Sequence, residues 1–423
     1  MKKDFNIGFY LPNLSNSKKS GSLSFFNFLT KEFSTYKAKE GHNLFIIYEN
    51  LNDIENINSR GFQLLELPSN KSTPHLTFSQ NVRIRVGSWI SKLAKYFYVS
   101  LSISPTIHND SYDQVGGIKK QKIIEELLDN RGIDLMIYAN QFEIPTTNRP
   151  YIWILWDMGC KTINFLHQME QSHEIQQKLE FAAHNAFRIV TGSKEGAFEI
   201  NKYLNFPKER IRTIPFPVPS DLLSCESTQP NQELVPYLFY PALLTPFKNH
   251  GVILEALRLL HDRKQPLHFV MTGVNKGNLE HILDLSKELE IENFVHYLGS
   301  VSLKELKGLY LNAEALVFPS LLGPNNLPPI EAMALGVPCI ASNIKGHLDQ
   351  LEDNALFFDP LNPHSLADRI EELLKDSTLR TKLIKKGKDF TKDLTPKNYM
   401  KELLLCAEEF LPYRNNWSKF RSF

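Results

Sequence analysis

The sequence predicts an α/β protein built from two domains of parallel sheet and covering helix. Three observations carry that prediction. The chain has 423 residues, more than one hydrophobic core ordinarily serves. Short apolar runs alternate with segments of helical spacing along almost its whole length. The alternation breaks once, at 211–236 (IRTIPFPVPSDLLSCESTQPNQELVP), a Pro-, Ser-, Gln- and Glu-rich stretch without periodicity that reads as an interdomain linker.

In the first half, FNIGFYL, HNLFIIYE, IDLMIYA and YIWILWD are apolar on both faces, as strands of a sheet covered on two sides are. IKKQKIIEELLD has helical spacing, and LEFAAHNAFRIVTGS reads as a helix running into a strand. After the linker, YLFYPAL, LHFVMTG, FVHYLG, ALVFPS, PCIAS and ALFFDP read as strands. HGVILEALRLLHD, NLEHILDLSKELE, SLKELKGLYLNA, PPIEAMAL and HSLADRIEELLKD read as helices between or after them. Residues 65–115 are less regular. Within them, 82–99 combines Arg83, Arg85, Lys92 and Lys95 with Trp89, Tyr96, Phe97 and Tyr98. That pattern fits first a buried amphipathic helix with a solvated basic side, and as the alternative a peripheral contact with an anionic membrane surface.

Bulk charge is balanced, with 48 Lys plus Arg against 47 Asp plus Glu, so composition gives no reason to expect a nucleic-acid partner. The four cysteines are scattered and form no CxxC pair or zinc spacing; a reducing compartment, hence a cytoplasmic location, is expected, and no metal. The N-terminal MKKDFNIGFYLPN reads as a first strand and not as a signal peptide, and no apolar window is long enough to span a bilayer. GxGxxG after the first strand, GxxxxGK[ST] and GxSxG are all missing, which removes support for NAD enzymes, P-loop enzymes and common hydrolases.

Open α/β sheets bind ligands beyond the carboxyl ends of their strands. Two loops of the second half meet that rule. LLTPFKNHG places Thr245, Lys248, Asn249 and His250 where a helix begins, the composition of an anion site; a surface turn with a solvated lysine fits the same residues. PSLLGPNNLPPIEAMALGVPCIASN, 319–343, joins a strand to a short apolar helix through Gly323, Pro324, Asn325 and Asn326. Pro328 and Pro329 suit a first helical turn and Gly336 suits its end. Glu331, placed in that first turn, either caps the helix dipole or accepts two adjacent hydroxyls such as those of a ribose.

At these residues the sequence resembles the retaining glycosyltransferases of family 4, also called glycosyl transferases group 1, which have the GT-B fold. LPPIEAMALGVPCIASN resembles the later part of the family's nucleotide-binding signature. YPALLTPFKNHGVILEAL resembles the segment carrying its phosphate-binding lysine, and YIWILWDMGCKT its His-Asp loop. The likeness is close over 236–375 and mainly topological over 1–230. It implies two Rossmann-like domains facing each other across a cleft: 1–215 for the acceptor and 216–395 for the nucleotide-sugar, with helices in 396–423 packing back on the first. It further implies transfer of a hexose-type sugar from a UDP- or GDP-linked donor to a saccharide or lipid-linked acceptor in surface polysaccharide or lipopolysaccharide synthesis, without a cofactor. Lys248 would neutralise the departing diphosphate and Glu331 would hold the ribose. Asn325, Asn326 and Leu327 would face the donor sugar and phosphates, partly through main-chain amides, with Thr245 and Asn249 beside them; Gly21 would let a first-domain loop approach the phosphates, and Asp157 would line the acceptor side.

The chain departs from the family pattern at four places. Gly323 stands where the first of two motif acids falls, Leu243 replaces an arginine, Trp156 replaces the histidine of the His-Asp pair, and the N-terminal double-glycine turn is reduced to Ser20-Gly21-Ser22. The same motif also fits a GT-B relative acting as a sugar-nucleotide epimerase or phosphorylase, or a non-catalytic partner that binds nucleotide only.

Overall fold

The structure is a computed structural model, and it describes residues 5–11, 42–48, 63–66, 124–138, 147–162, 177 and 179–417. Gly21 and the basic aromatic segment 82–99 lie outside the described residues. Seven strands make the first sheet: β1 (Phe5–Leu11), β2 (His42–Tyr48), β3 (Gln63–Glu66), β4 (Leu135–Tyr138), β5 (Tyr151–Ile154), β6 (Arg188–Thr191) and β7 (Ile211–Thr213). Their order is β3-β2-β1-β4-β5-β6-β7, and every pairing is parallel. The strands are apolar because both faces are covered. Leu135, Ile137, Ile152 and Ile154 enter one hydrophobic cluster, while Met136, Tyr138, Tyr151 and Trp153 enter the other, the period-two alternation of a pleated strand buried on both sides.

The second sheet has six strands: β8 (Tyr237–Pro241), β9 (His268–Thr272), β10 (Val295–Tyr297), β11 (Ala315–Phe318), β12 (Cys339–Ser342) and β13 (Leu356–Phe358). Their order is β10-β9-β8-β11-β12-β13, again all parallel. Around the two sheets run α1 (Lys194–Leu204), α2 (His250–Asp262), α3 (Leu279–Glu288), α4 (Leu303–Leu311), α5 (Leu327–Leu335), α6 (Lys345–Leu351), α7 (Pro363–Lys375), α8 (Ser377–Thr391) and α9 (Pro396–Glu408). The order of each sheet reverses once, between β1 and β4 in the first and between β8 and β11 in the second. In open parallel sheets a ligand crevice lies beyond the carboxyl ends of the strands at such a point. In the second sheet the loops leaving β8 and β11 are the two singled out from the sequence.

The stretch 211–236 is not wholly linker. Ile211–Thr213 is the edge strand β7, paired with β6, and the short helix Ser220–Ser224 follows. The C-terminal helices return to the first sheet. Glu409 pairs with Arg188 at 2.6 Å and with Arg212, Arg414 pairs with Asp134 at 2.8 Å, and the Phe187 and Phe410 rings meet edge to face at 5.2 Å. Tyr399, Met400, Leu403 and Cys406 of α9 join the same buried cluster as Ile152 and Ile154, so the core runs unbroken from one domain to the other.

Candidate active site

The loop after β8 tightens into one 3-10 turn, Pro246–Lys248, and Asn249 turns the chain through the left-handed region (φ 56°) into α2. The Asn249 side chain donates to the carbonyls of Pro319 (3.3 Å) and Pro360 (2.8 Å). It ties three loops of the second domain together. Lys248 is half-buried. Its ammonium sits 5.2 Å from the Phe318 ring centroid and 5.5 Å from that of Phe247, and makes no hydrogen bond or ion pair with a described residue. Desolvation lowers its pKa to about 8, opposed by the field of Asp157. Around it stand buried polar atoms without partners: Thr245 Oγ1, both ring nitrogens of His250, and His347 Nε2. Burial and the nearby ammonium push both histidines down to about 3, so the rings are neutral. A buried polar group left unpaired costs roughly 1–3 kcal/mol. Three such residues near one lysine mark a place arranged for something other than stability.

The loop after β11 wraps around Asn326. Its side-chain amide donates to the Gly323 carbonyl (2.6 Å), and Gln350 of α6 grips its backbone, accepting from its amide at 3.0 Å and donating to its carbonyl at 2.7 Å. Asn326 thus shapes the loop through its side-chain amide and its backbone. Gly323 has φ 111°, and a Cβ there would stand 2.9 Å from Asn326 Oδ1. This backbone admits no residue but glycine without strain, at the position where the signature that the sequence resembles has its first acid. Gly323→Glu is therefore expected to lower Tm by a few degrees and to reduce transfer. A gain in transfer rate on assaying that variant would show the acid to be missing and not excluded.

Asn325 bridges the two domains. Its side-chain amide crosses to the first domain and donates to the Trp156 carbonyl and to Thr191 Oγ1 (3.3 Å). A Cβ at Gly192 would collide with Asn325 Oδ1, and one at Gly196 would lie 3.1 Å from its Nδ2. Two glycines make the socket that this side chain fills. A second brace lies beside it, where Asp349 of α6 accepts from the Glu195 amide at the start of α1 (2.8 Å). With the side chain of Asn325 committed to the facing domain, the loop keeps its main chain for a ligand. The amides of Leu322, Gly323, Asn325 and Leu327 have no partner among the described residues. They sit at the positive end of α5, and Leu327, its first residue, is buried.

Glu331 is the fifth residue of α5, because the helix starts at Leu327 and not at the prolines. It lies beyond the first turn, so dipole capping does not explain it. It is only 8% exposed. Oε2 accepts from the Tyr310 hydroxyl of α4 at 2.7 Å, and no described residue donates to Oε1. Desolvation raises its pKa to about 7, with the Tyr310 bond opposing.

Asp157 lies on the loop after β5, where its Oδ1 accepts from the Gly159 amide at 2.8 Å. Its charge acts on Lys248, so the acid of one domain and the cation of the other share one field. Behind this loop the buried Glu199 of α1 accepts from the Met158 amide at 3.1 Å, and burial raises its pKa to about 7. Glu199, Tyr310, Asp349, Gln350 and His347 are all missed by sequence reasoning. Each matters through a partner distant in the chain, and no residue type or spacing reports that.

Residues 227–390 match the family model described as Glycosyl transferases group 1. The O-antigen chain mannosyltransferase B of Escherichia coli is 25% identical over 255 residues, covering 58% of this chain and 67% of that relative. A glycosyltransferase of Rickettsia africae superposes with a TM-score of 0.63 at 16% identity, covering 96% of this chain and 98% of that one. Anabaena HepE, solved with UDP and glucose, gives 0.66 at 13% identity, covering 96% and 100%. The fold is GT-B, two parallel-sheet α/β domains, and the family match together with the named glycosyltransferases supports transferase activity. Among the described residues, no helix is long and apolar enough to cross a membrane.

Proposed function

We propose that the chain is a retaining glycosyltransferase of the family 4 type. It moves a hexose-type sugar from a UDP- or GDP-linked donor to a saccharide or lipid-linked acceptor in surface polysaccharide or lipopolysaccharide assembly. One observation carries the reading. The loops leaving β8 and β11, on either side of the switch point of the second sheet, lead to three groups without hydrogen-bond partners among the described residues: the Lys248 ammonium, the amides of Leu322, Gly323, Asn325 and Leu327, and Oε1 of the buried Glu331. This set is complementary to a nucleoside diphosphate, with phosphates on the cation and amides and a ribose hydroxyl on Glu331. The O-antigen mannosyltransferase relative and the UDP- and glucose-bound neighbour support the substrate class.

Breaking the anomeric C–O bond loads charge onto the leaving diphosphate while the sugar becomes oxocarbenium-like. Fixed cations and amides aimed at that growing charge are the main catalytic resource. Lys248 and the loop amides supply them from one side, and Asp157 faces the reacting sugar from the other domain. The Asn325 and Asp349 braces hold the facing walls together, which excludes water that would hydrolyse the donor.

A thermal-shift screen of UDP, GDP, CDP and ADP tests the donor class. A ligand at 100 times its Kd stabilises by about 2.7 kcal/mol, so UDP or GDP is expected to raise Tm clearly above the other two. A shift with CDP or ADP alone would refute the assignment. Product analysis with and without acceptor then separates transfer from epimerase or phosphorylase chemistry.

A further inference from the structure

His347 is fully buried at the third position of α6. Its tautomer follows from its neighbours. The Ser342 hydroxyl donates its one proton to the Ser320 carbonyl at 2.6 Å. Towards His347 Nδ1, 2.8 Å away, that oxygen can therefore only accept, as can the Ser342 carbonyl at 3.2 Å. Nδ1 must carry the hydrogen. Since the ring is neutral, Nε2 carries a bare lone pair, and no described residue donates to it. Lys248 has the opposite defect, three ammonium protons and no described acceptor. Both pack against the same ring, for the Phe318 centroid is 5.2 Å from that of the His347 ring and 5.2 Å from Lys248 Nζ. The field of the ammonium reaches the imidazole.

We propose that His347 is a positioning residue for Lys248: when the lysine turns to a bound donor, the Nε2 lone pair, which has no partner among the described residues before then, accepts one ammonium hydrogen and leaves the other two directed at the diphosphate. The inference rests on the reading of Lys248 as the diphosphate cation. It gives the Ser320–Ser342–His347 chain a purpose, since that chain fixes the tautomer from the same strand ends that carry the donor loop. A phosphate oxygen cannot be the partner of Nε2, because both are acceptors.

Nitrogen-15 NMR of histidine-labelled full-length protein with UDP or GDP bound tests the contact without turnover, with His347→Gln assigning the resonance. The expected result is an Nδ1–H ring whose Nε2 signal moves in Lys248→Met. An Nε2–H ring, or an Nε2 signal unmoved in Lys248→Met, overturns the proposal. In transfer assays with UDP- and GDP-hexose, His347→Leu is expected to lower kcat about tenfold. His347→Gln, which keeps an acceptor, should recover most of that rate, and Lys248→Met/His347→Leu should be no slower than Lys248→Met alone. Additive losses, or equal rates for the Leu and Gln variants, contradict it. If Lys248→Met itself keeps the parent rate, the reading of Lys248 fails and the NMR result still decides the contact. If Lys248→Met is slow while His347→Leu matches the parent, only the present inference fails.

Discussion

Lys248→Ala is expected to reduce kcat a hundredfold to a thousandfold while the protein stays folded, read as turnover of the donor by purified enzyme. A preorganised donor facing charge that develops in the transition state contributes roughly 10²–10³ in rate, and Lys248 is a cation beside the loop amides with no described acceptor of its own. Folding should survive because the ammonium makes no hydrogen bond or ion pair with a described residue, and its burial is a cost the alanine removes. The same burial sets a pH signature. In the free enzyme the lysine begins to lose its charge near pH 8, well below the ordinary value of 10.5. The kcat/KM of the parent should therefore fall as pH rises through about 8. Lys248→Arg should move that limb upward, because a guanidinium keeps its charge. A parent-like rate for Lys248→Ala would remove the lysine from the chemistry.

Glu331→Gln is expected to change two properties in opposite directions. Nucleotide affinity should fall roughly tenfold to a hundredfold, the value of one hydrogen bond to a charged acceptor. Stability of the ligand-free protein should rise at alkaline pH. The native pKa is about 7 against an ordinary 4.5, so the folded state holds its proton more tightly than the unfolded chain does. Between those values stability drops as pH rises, and above pH 7 the fold carries the whole cost of a buried charge. A shift of that size corresponds to ~3 kcal/mol as an upper bound. The glutamine side chain would carry no charge and could still accept from Tyr310, so the gain in Tm should be present at pH 8 and nearly gone at pH 5. Calorimetry at the two pH values, beside nucleotide titration at pH 8, measures both effects. Equal Tm differences at pH 5 and pH 8 would mean that Glu331 titrates normally; unchanged affinity would mean that it does not hold the ribose.

The fold was largely legible because a strand buried on both faces must be apolar throughout, and helices covering a parallel sheet must be amphipathic. Those two patterns locate β1, β2, β4, β5 and the six strands of the second sheet. β7 escaped because Ile211–Thr213 is a half-exposed edge of three residues, too short to show a period. Of the site, Lys248 and Glu331 were legible through the strand–loop–helix punctuation around them. Their partners were not. Tyr310 meets Glu331 across 21 positions, and Asn325 meets Trp156 across 169. Asn325 and Asn326 were expected to face the donor by resemblance, partly through main-chain amides. The side-chain amides of both, and that of Asn249, hold loops in place, a task that depends on partners the sequence does not show.

The most direct test of the central claim is a crystal structure of the protein with UDP or GDP, whichever the thermal screen selects. The account predicts the diphosphate on Lys248 and the amides of Leu322, Gly323, Asn325 and Leu327, and the ribose on Glu331 Oε1 with Tyr310 still on Oε2. A nucleotide bound anywhere else, or a Glu331 carboxylate without contact to the ribose, would contradict it.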